Sequence, residues 1–277
     1  MNPLARLAGF GVMLGLVLAG AAFAGSRVDV HPGRPAAEPG MTAMTDMAPQ
    51  PVRGLAVSDR GLTLELARAK APRGRRFDLA FRIADDRGRT VRDFDVEHTK
   101  RMHLIVVRRD MTGFQHLHPT QRRDGAWSIP VTLRDAGTYQ VLADFSVDGT
   151  PHTLAGDVAV DGSARSQALP APVRAVDVDS LRVSRTDGAA KAGAESELAF
   201  TVTRAGAPVA VQDYLGAKGH LVALRQGDLA FLHVHPDENR LKVMATFPTA
   251  GRYRLFLQFK TGDGRLHTAG FTEDVSR

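Results

Sequence analysis

The chain has 277 residues, 43% of them apolar and 24% charged, which suits a globular protein of about two domains. It has no cysteine, and this excludes disulfides, thiolate metal sites and cysteine nucleophiles. The net charge of +6 is modest for this length, and the arginines are scattered with few aromatic residues among them, so no nucleic-acid partner is expected.

Residues 1–25 form an apolar segment with one early arginine and a small-x-small end at Ala22-Phe23-Ala24. That pattern is typical of a secretory signal peptide. The run is also nearly as long as the roughly 20 residues that span a bilayer. A cleaved signal and an uncleaved membrane anchor therefore both remain open. In either case the rest of the chain is expected outside the cytoplasm, in the periplasm or at the cell surface, with membrane contact through this segment alone.

Residues 26–50 are rich in proline, glycine, alanine and small polar residues, which predicts a flexible linker. The linker carries Met41, Met44 and Met47. Spaced thioethers can bind Cu(I), although a flexible tether that happens to contain methionine is the favoured interpretation.

The rest of the chain contains an internal repeat. FDLAFRI, starting at Phe77, matches SELAFTV at Ser196, and RDAGTYQVLADF, starting at Arg134, matches PTAGRYRLFLQF at Pro248. The repeat predicts a first domain over residues 51–162, a connector over 163–172 and a second domain over 173–277.

The sequence pattern of each repeat predicts short β-strands. Apolar and polar residues alternate in GLTLELARA and WSIPVTL, and Gly/Asp turns separate the runs. About seven strands per repeat predict an antiparallel β-sandwich. Tyr139 and Tyr253, each following an Ala-Gly pair, match the tyrosine corner of Ig-like domains, whereas the cysteine pair and core tryptophan of antibody domains are absent. The predicted fold class is all-β, with two tandem Ig-like antiparallel sandwiches after an N-terminal hydrophobic helix.

Eight of the ten histidines fall into two matching sets of four, one set in each repeat. In each set a leading histidine precedes a His-x-His-Pro motif, and a further histidine follows. Imidazole is the commonest protein ligand for transition metals. The candidate metal ligands are His103, His116, His118 and His152 in the first repeat, and His220, His233, His235 and His267 in the second.

Strand geometry explains how such a set can share an ion. Residues i and i+2 of a strand point to one face, so His116 and His118 project together. A hairpin through RRDMTG would place His103 opposite them, close enough for three nitrogens to meet one ion at about 2.0–2.1 Å. His152 and His267 could supply a fourth ligand or hydrogen-bond a ligand ring. Duplication also copies structural residues, so purely structural histidines remain the competing interpretation.

The stretch MHLIVVRRDMTGFQHLHP, with the later GAW, DAGTY and VLADF, resembles a family of exported bacterial proteins with Ig-like or cupredoxin-like domains associated with heavy-metal handling, mainly of copper. The resemblance covers the first domain well and the second less closely. It implies metal association for His103, His116 and His118.

The sequence thus predicts an extracytoplasmic protein that binds copper, with zinc as the alternative, through one histidine cluster per repeat. Its role would be sequestration, chaperoning or sensing. Its partners would be the metal ion and other envelope proteins, and no enzymatic activity is expected. The main alternative is a tandem Ig-like interaction or adhesion module without metal, and a metal-dependent enzyme is a third interpretation.

Overall fold

The computed structural model describes residues 52–234 and 240–277. All the regular secondary structure in these ranges is β-strand. No segment of this part of the chain forms an apolar helix of membrane-spanning length. The predictions for residues 1–25 and 26–50 lie outside the described residues, as does His235. The described chain is all-β and folds as two tandem Ig-like antiparallel sandwiches.

The first domain is a sandwich of two five-stranded sheets, with strand orders β1-β2-β4-β8-β7 and β3-β10-β9-β5-β6. Its neighbouring strands are antiparallel except for the short parallel pair β3–β10. The strands are β1 (Ser58–Asp59), β2 (Leu62–Leu66), β3 (Lys70–Ala71), β4 (Arg76–Ala84), β5 (His103–Arg108), β6 (Gln115–Leu117), β7 (Thr120–Gln121), β8 (Trp127–Thr132), β9 (Gly137–Val147) and β10 (Thr150–Val160).

The second domain repeats this arrangement, with one sheet ordered β11-β12-β13-β14 in which β18 also pairs with β13, and another ordered β15-β19-β16-β17 in which β20 pairs with β19. The strands are β11 (Ala175–Val178), β12 (Leu181–Arg185), β13 (Glu195–Arg204), β14 (Ala207–Pro208), β15 (Val211–Gln212), β16 (His220–Arg225), β17 (Phe231–Val234), β18 (Lys242–Thr246), β19 (Gly251–Thr261) and β20 (Leu266–Val275).

Each sandwich encloses its own apolar core, built from alternate residues of the facing sheets. The two tyrosine corners are confirmed, because the Tyr139 hydroxyl donates to the Asp135 carbonyl at 3.1 Å and the Tyr253 hydroxyl to the Thr249 carbonyl at 2.9 Å. Trp127 on β8 is buried in the first core, edge-on to Phe94.

A third apolar cluster lies between the two domains. The outer face of the β5–β9–β10 sheet packs there on the outer face of the β16–β17–β19 sheet. Phe114 and Phe256 stack across it with ring centroids 3.9 Å apart. Alternation explains this second apolar surface, since a sheet covered on both faces buries both sets of alternate residues. The buried members are Ile105, Val107, Met111, Leu142, Ala155, Val222, Leu224, Leu229, Phe231 and Phe256.

Two stretches without long strands also tie the domains together. The Arg53 carbonyl accepts a hydrogen bond from the Phe231 amide, while the neighbouring Gly54 amide donates to the Thr153 carbonyl. In the connector, the Gln167 amide donates to Asp110, and Leu169 packs on the interdomain cluster. The connector is therefore attached to the domains at both of these points.

Candidate metal centre

The three histidines of the first domain lie on one hairpin and face the second domain. Ile105 on β5 pairs with His116 on β6, and Ile105 belongs to the interdomain cluster. Because alternate residues share a face, His103 projects to the same side as Ile105. Continuing the register places His118 opposite His103. The hairpin thus brings together the three side chains that the spacing predicted would meet.

The ring nitrogens of this cluster are spaced as a common ion requires. His103 Nδ1 lies 3.3 Å from His116 Nε2 and 3.2 Å from His118 Nε2. One nitrogen from each ring falls within 4.8 Å of the others. Nitrogens bound tetrahedrally at about 2.0–2.1 Å stand about 3.3–3.4 Å apart, so the observed spacing needs little adjustment.

Backbone carbonyls select the tautomers of both leading histidines. His103 Nε2 lies 3.4 Å from the Glu97 carbonyl oxygen, and His220 Nε2 lies 2.9 Å from the Tyr214 carbonyl oxygen. A carbonyl can only accept, so Nε2 carries the hydrogen and Nδ1 carries the lone pair in each ring. Metal-bound histidines usually hold their second ring nitrogen in this way. The contact is shorter, and hence stronger, in the second domain.

Burial keeps the central rings in the form that a metal needs. His103 and His116 are 4% and 5% exposed, whereas His118 is half-buried and reachable from solvent. Burial lowers the pKa of His103, so the ring is neutral at neutral pH. A neutral imidazole presents a lone pair to a metal without first losing a proton.

A carboxylate lies beside this cluster. Asp144 on β9 pairs directly with His103 and accepts a hydrogen bond from Thr153 Oγ1 at 2.7 Å. Burial raises the pKa of Asp144 in spite of this hydrogen bond and the nearby His103. The corresponding partner of His220 on β19 is Gln258, so the second domain has no acid at this place.

His152 points away from the cluster, which corrects the expectation of a fourth ligand there. It pairs with Phe145, whose ring belongs to the sandwich core on the opposite face of the sheet from His103. Its ring stacks on Phe145 at 5.5 Å between centroids, and its Nδ1 lies 3.5 Å from Asp59 Oδ2. His152 therefore packs in the sandwich core and does not join this cluster.

His267 repeats this structural arrangement in the second domain. Its ring stacks on Phe259, its Nδ1 lies 2.9 Å from Asp179 Oδ2, and its Nε2 lies 2.9 Å from Thr261 Oγ1. In both domains an aspartate from the first hairpin contacts the histidine. The two residues are a duplicated packing feature of each sandwich, and the period of the strand alone did not reveal which face they take.

His220 lies against the cluster of the first domain. Its ring centroid is 5.7 Å from that of His116 and 6.2 Å from that of His103. His220 is fully buried, and burial together with the neighbouring histidines lowers its pKa to about 4. The backbone of His233 pairs with that of Val222, just as the backbone of His116 pairs with that of Ile105 in the first domain. Metal binding by His233 and His235 therefore stays a prediction, whereas His220 lies against the histidine cluster of the first domain.

Two further aromatic residues border the site, and sequence reasoning gave them little or no role. The His98 ring centroid lies 6.4 Å from that of His220, and the Tyr214 ring centroid lies 5.3 Å from that of His220. Both belong to the short turn that precedes a leading histidine. The repeat gave no signal for either residue, because His98 aligns with Leu215 and Tyr214 with Glu97.

Comparisons with known proteins find the repeat and little else. A family described as "Domain of unknown function (DUF8832)" matches residues 56–162 and again residues 176–277. No curated protein sequence matches the chain.

Similar solved structures share little sequence with the chain. They include Salmonella alpha-2-macroglobulin (14% identity, 83% of this chain, 16% of that one, TM-score 0.29). Two others are the Yersinia pseudotuberculosis adhesin InvE (13%, 80% and 61%, 0.24) and the Escherichia coli adhesin FdeC (14%, 80% and 66%, 0.28). Identities this low say nothing about shared function.

Proposed function

The chain belongs to the DUF8832 family, and from the geometry of its histidine cluster we propose that it is an extracytoplasmic metal-binding protein that holds copper or zinc on His103, His116 and His118. The observation that carries the proposal is the pair of 3.2–3.3 Å separations between ring nitrogens. Hydrogen bonding between neutral rings explains one such contact. Three convergent rings, with the tautomer of His103 set by a carbonyl, favour a shared cation.

The donor set limits the choice of metal. Imidazole suits Cu(II) and Zn(II), and copper binds more tightly than the other divalent ions of the series. Because the chain has no cysteine, the trigonal thiolate site of electron-transfer copper proteins cannot form. Copper is the first expectation on affinity and on the family resemblance in the sequence, and zinc is the alternative.

The proposed role is binding, which means sequestration, chaperoning or sensing. Asp144 pairs directly with His103 across the two strands, and its carboxyl group accepts a hydrogen bond from the Thr153 hydroxyl. A half-buried His118 gives an ion access from solvent. The apolar N-terminal segment supports a location outside the cytoplasm, where such a site would meet metal arriving from the environment.

A tandem Ig-like interaction module without metal is the second candidate. The all-β fold and the two family matches fit this function as well as they fit metal binding. In that case the buried histidines would serve packing between the domains. The two candidates differ in a measurable way, because the module needs no ion for its structure or its binding.

Metal titration of matched variants separates these functions. The full-length chain, purified in detergent without a polyhistidine tag, is titrated with Cu(II) and Zn(II) by calorimetry beside His116→Gln and His152→Gln. The two histidines are equally buried, at 5% and 4% exposure, but only His116 faces the cluster. We expect His116→Gln to weaken binding by at least about tenfold and His152→Gln to leave it unchanged. Equal binding by all three proteins, or none by any, would favour the metal-free module.

A further inference from the structure

We infer that the metal site is shared between the domains, with His220 of the second domain as the fourth ligand to the ion on His103, His116 and His118. This inference rests on the proposed function. It places His220 in a four-histidine centre at the domain interface, while metal binding by His233 and His235 stays a prediction.

The first argument is distance. Rings that bind one ion tetrahedrally at about 2.0–2.1 Å have centroids about 5 Å apart. Within the first domain the three centroid separations are 4.9, 4.9 and 5.5 Å. The His220 centroid is 5.7 Å from that of His116 and 6.2 Å from that of His103, so the His220 ring would move by about 1 Å to join the same shell.

The second argument is the state of the His220 ring. Its Nε2–H donates to the Tyr214 carbonyl at 2.9 Å, so its lone pair is on Nδ1. His103 has the same arrangement, with Nδ1 turned toward His116 and His118. The His220 ring is thus already in the tautomer of a ligand.

The third argument is the apolar packing that holds the two domains against each other. His220 shares the sheet face of Val222 and Leu224, both buried in the interdomain cluster. The apolar contact continues from the histidines to the stacked Phe114 and Phe256. An ion at the end of this interface would add a coordinate link between domains that are already in contact.

The experiment combines zinc affinity with ligand counting. Full-length wild type, His220→Gln and the control His267→Gln are titrated with Zn(II), and X-ray absorption spectroscopy counts the imidazoles bound to zinc. His267 is also a buried histidine of the second domain, but it bonds to Asp179. We expect four imidazoles in wild type and in His267→Gln, and three in His220→Gln, with zinc affinity at least about tenfold lower in the last.

A wild-type count of three or fewer imidazoles overturns the shared site without any variant, which matters if His220→Gln does not fold. Unchanged affinity and count in His220→Gln also overturn it. If His116→Gln loses zinc while His220→Gln keeps it, metal binding stands and the shared site fails. Absence of zinc and copper binding in wild type removes both proposals.

Discussion

At the scale of single residues, histidines near the starts of strands lie on two different faces of their sheets. His103 and His220 begin β5 and β16 and face the interdomain side, where rings converge. His152 and His267, near the start of β10 and β20, point into the sandwich cores and contact aspartates. The face of the sheet separates the candidate ligands from the packing histidines, so the two classes should respond differently to acid and to metal.

The buried His152 should make the metal-free protein sensitive to acid. Burial lowers its pKa from the usual 6.5, with Asp59 opposing this only in part. The unfolded chain therefore takes up a proton first as pH falls, and the stabilisation by the neutral ring is complete above pH 6.5 and lost below it.

Urea unfolding at a series of pH values checks this sensitivity. The difference in unfolding free energy between wild type and His152→Gln should shrink from about pH 8 to about pH 5. A difference that is constant over this range would contradict the neutral buried ring.

At the scale of elements, the β5–β6 hairpin carries the site, and a buried ion pair shapes its turn. Asp110 pairs with Arg108 and also accepts hydrogen bonds from the Thr112 hydroxyl and the Gln167 amide. Burial raises the pKa of Asp110, but the hydrogen bonds to its carboxylate outweigh this effect. The pKa is therefore held well below its usual range. The turn and the connector thus depend on one carboxylate.

Removal of that carboxylate should cost far more than removal of a neighbouring one. Asp110→Ala leaves Arg108 buried and unpaired, for a loss of about 3 kcal/mol in unfolding free energy. The exposed pair of Arg109 with Asp157 provides the control, and Asp157→Ala should cost at most about 1 kcal/mol. Denaturant unfolding measures both, and equal losses would rule out a special role for the buried pair.

Local pattern was enough to predict the sandwiches and the histidine hairpin. Alternation fixes which residues share a face, and a short loop fixes which strands pair, so His103, His116 and His118 could be placed together in advance. The orientation of His152 could not be foreseen, since it depends on the register of β10 against β9. Nor could the position of His220, because no local pattern states that two sheets will pack by their outer faces.

At the scale of the molecule, the apolar interface between the domains should control metal affinity if the site is shared. Phe256 stacks on Phe114 across this interface, whereas Phe200 lies in the core of the second sandwich. The two phenylalanines are about equally buried, at 7% and 6% exposure. Their truncation therefore compares loss of the interface with loss of the core at similar burial.

Phe256→Ala and Phe200→Ala should each lower stability, by about 3–5 kcal/mol for a fully packed ring. Phe256→Ala alone is expected to weaken zinc binding as well, because it loosens the docking of His220 on the first domain. Thermal unfolding and zinc titration of both variants provide the measurements. Parallel losses of zinc affinity in the two variants would mean that affinity follows the stability of the second domain rather than the interface.

The short segment at Arg53 and Gly54 has a mechanical consequence. Its backbone is hydrogen-bonded to β10 of one domain and to β17 of the other. A Cβ at Gly54 would lie 2.6 Å from Leu142 Cδ2 and 2.7 Å from Phe231 Cβ. The segment is therefore packed between the two domains at a point where a side chain would not fit. Tension applied to the chain ahead of residue 52 would therefore act on both domains at once, at the interface between them.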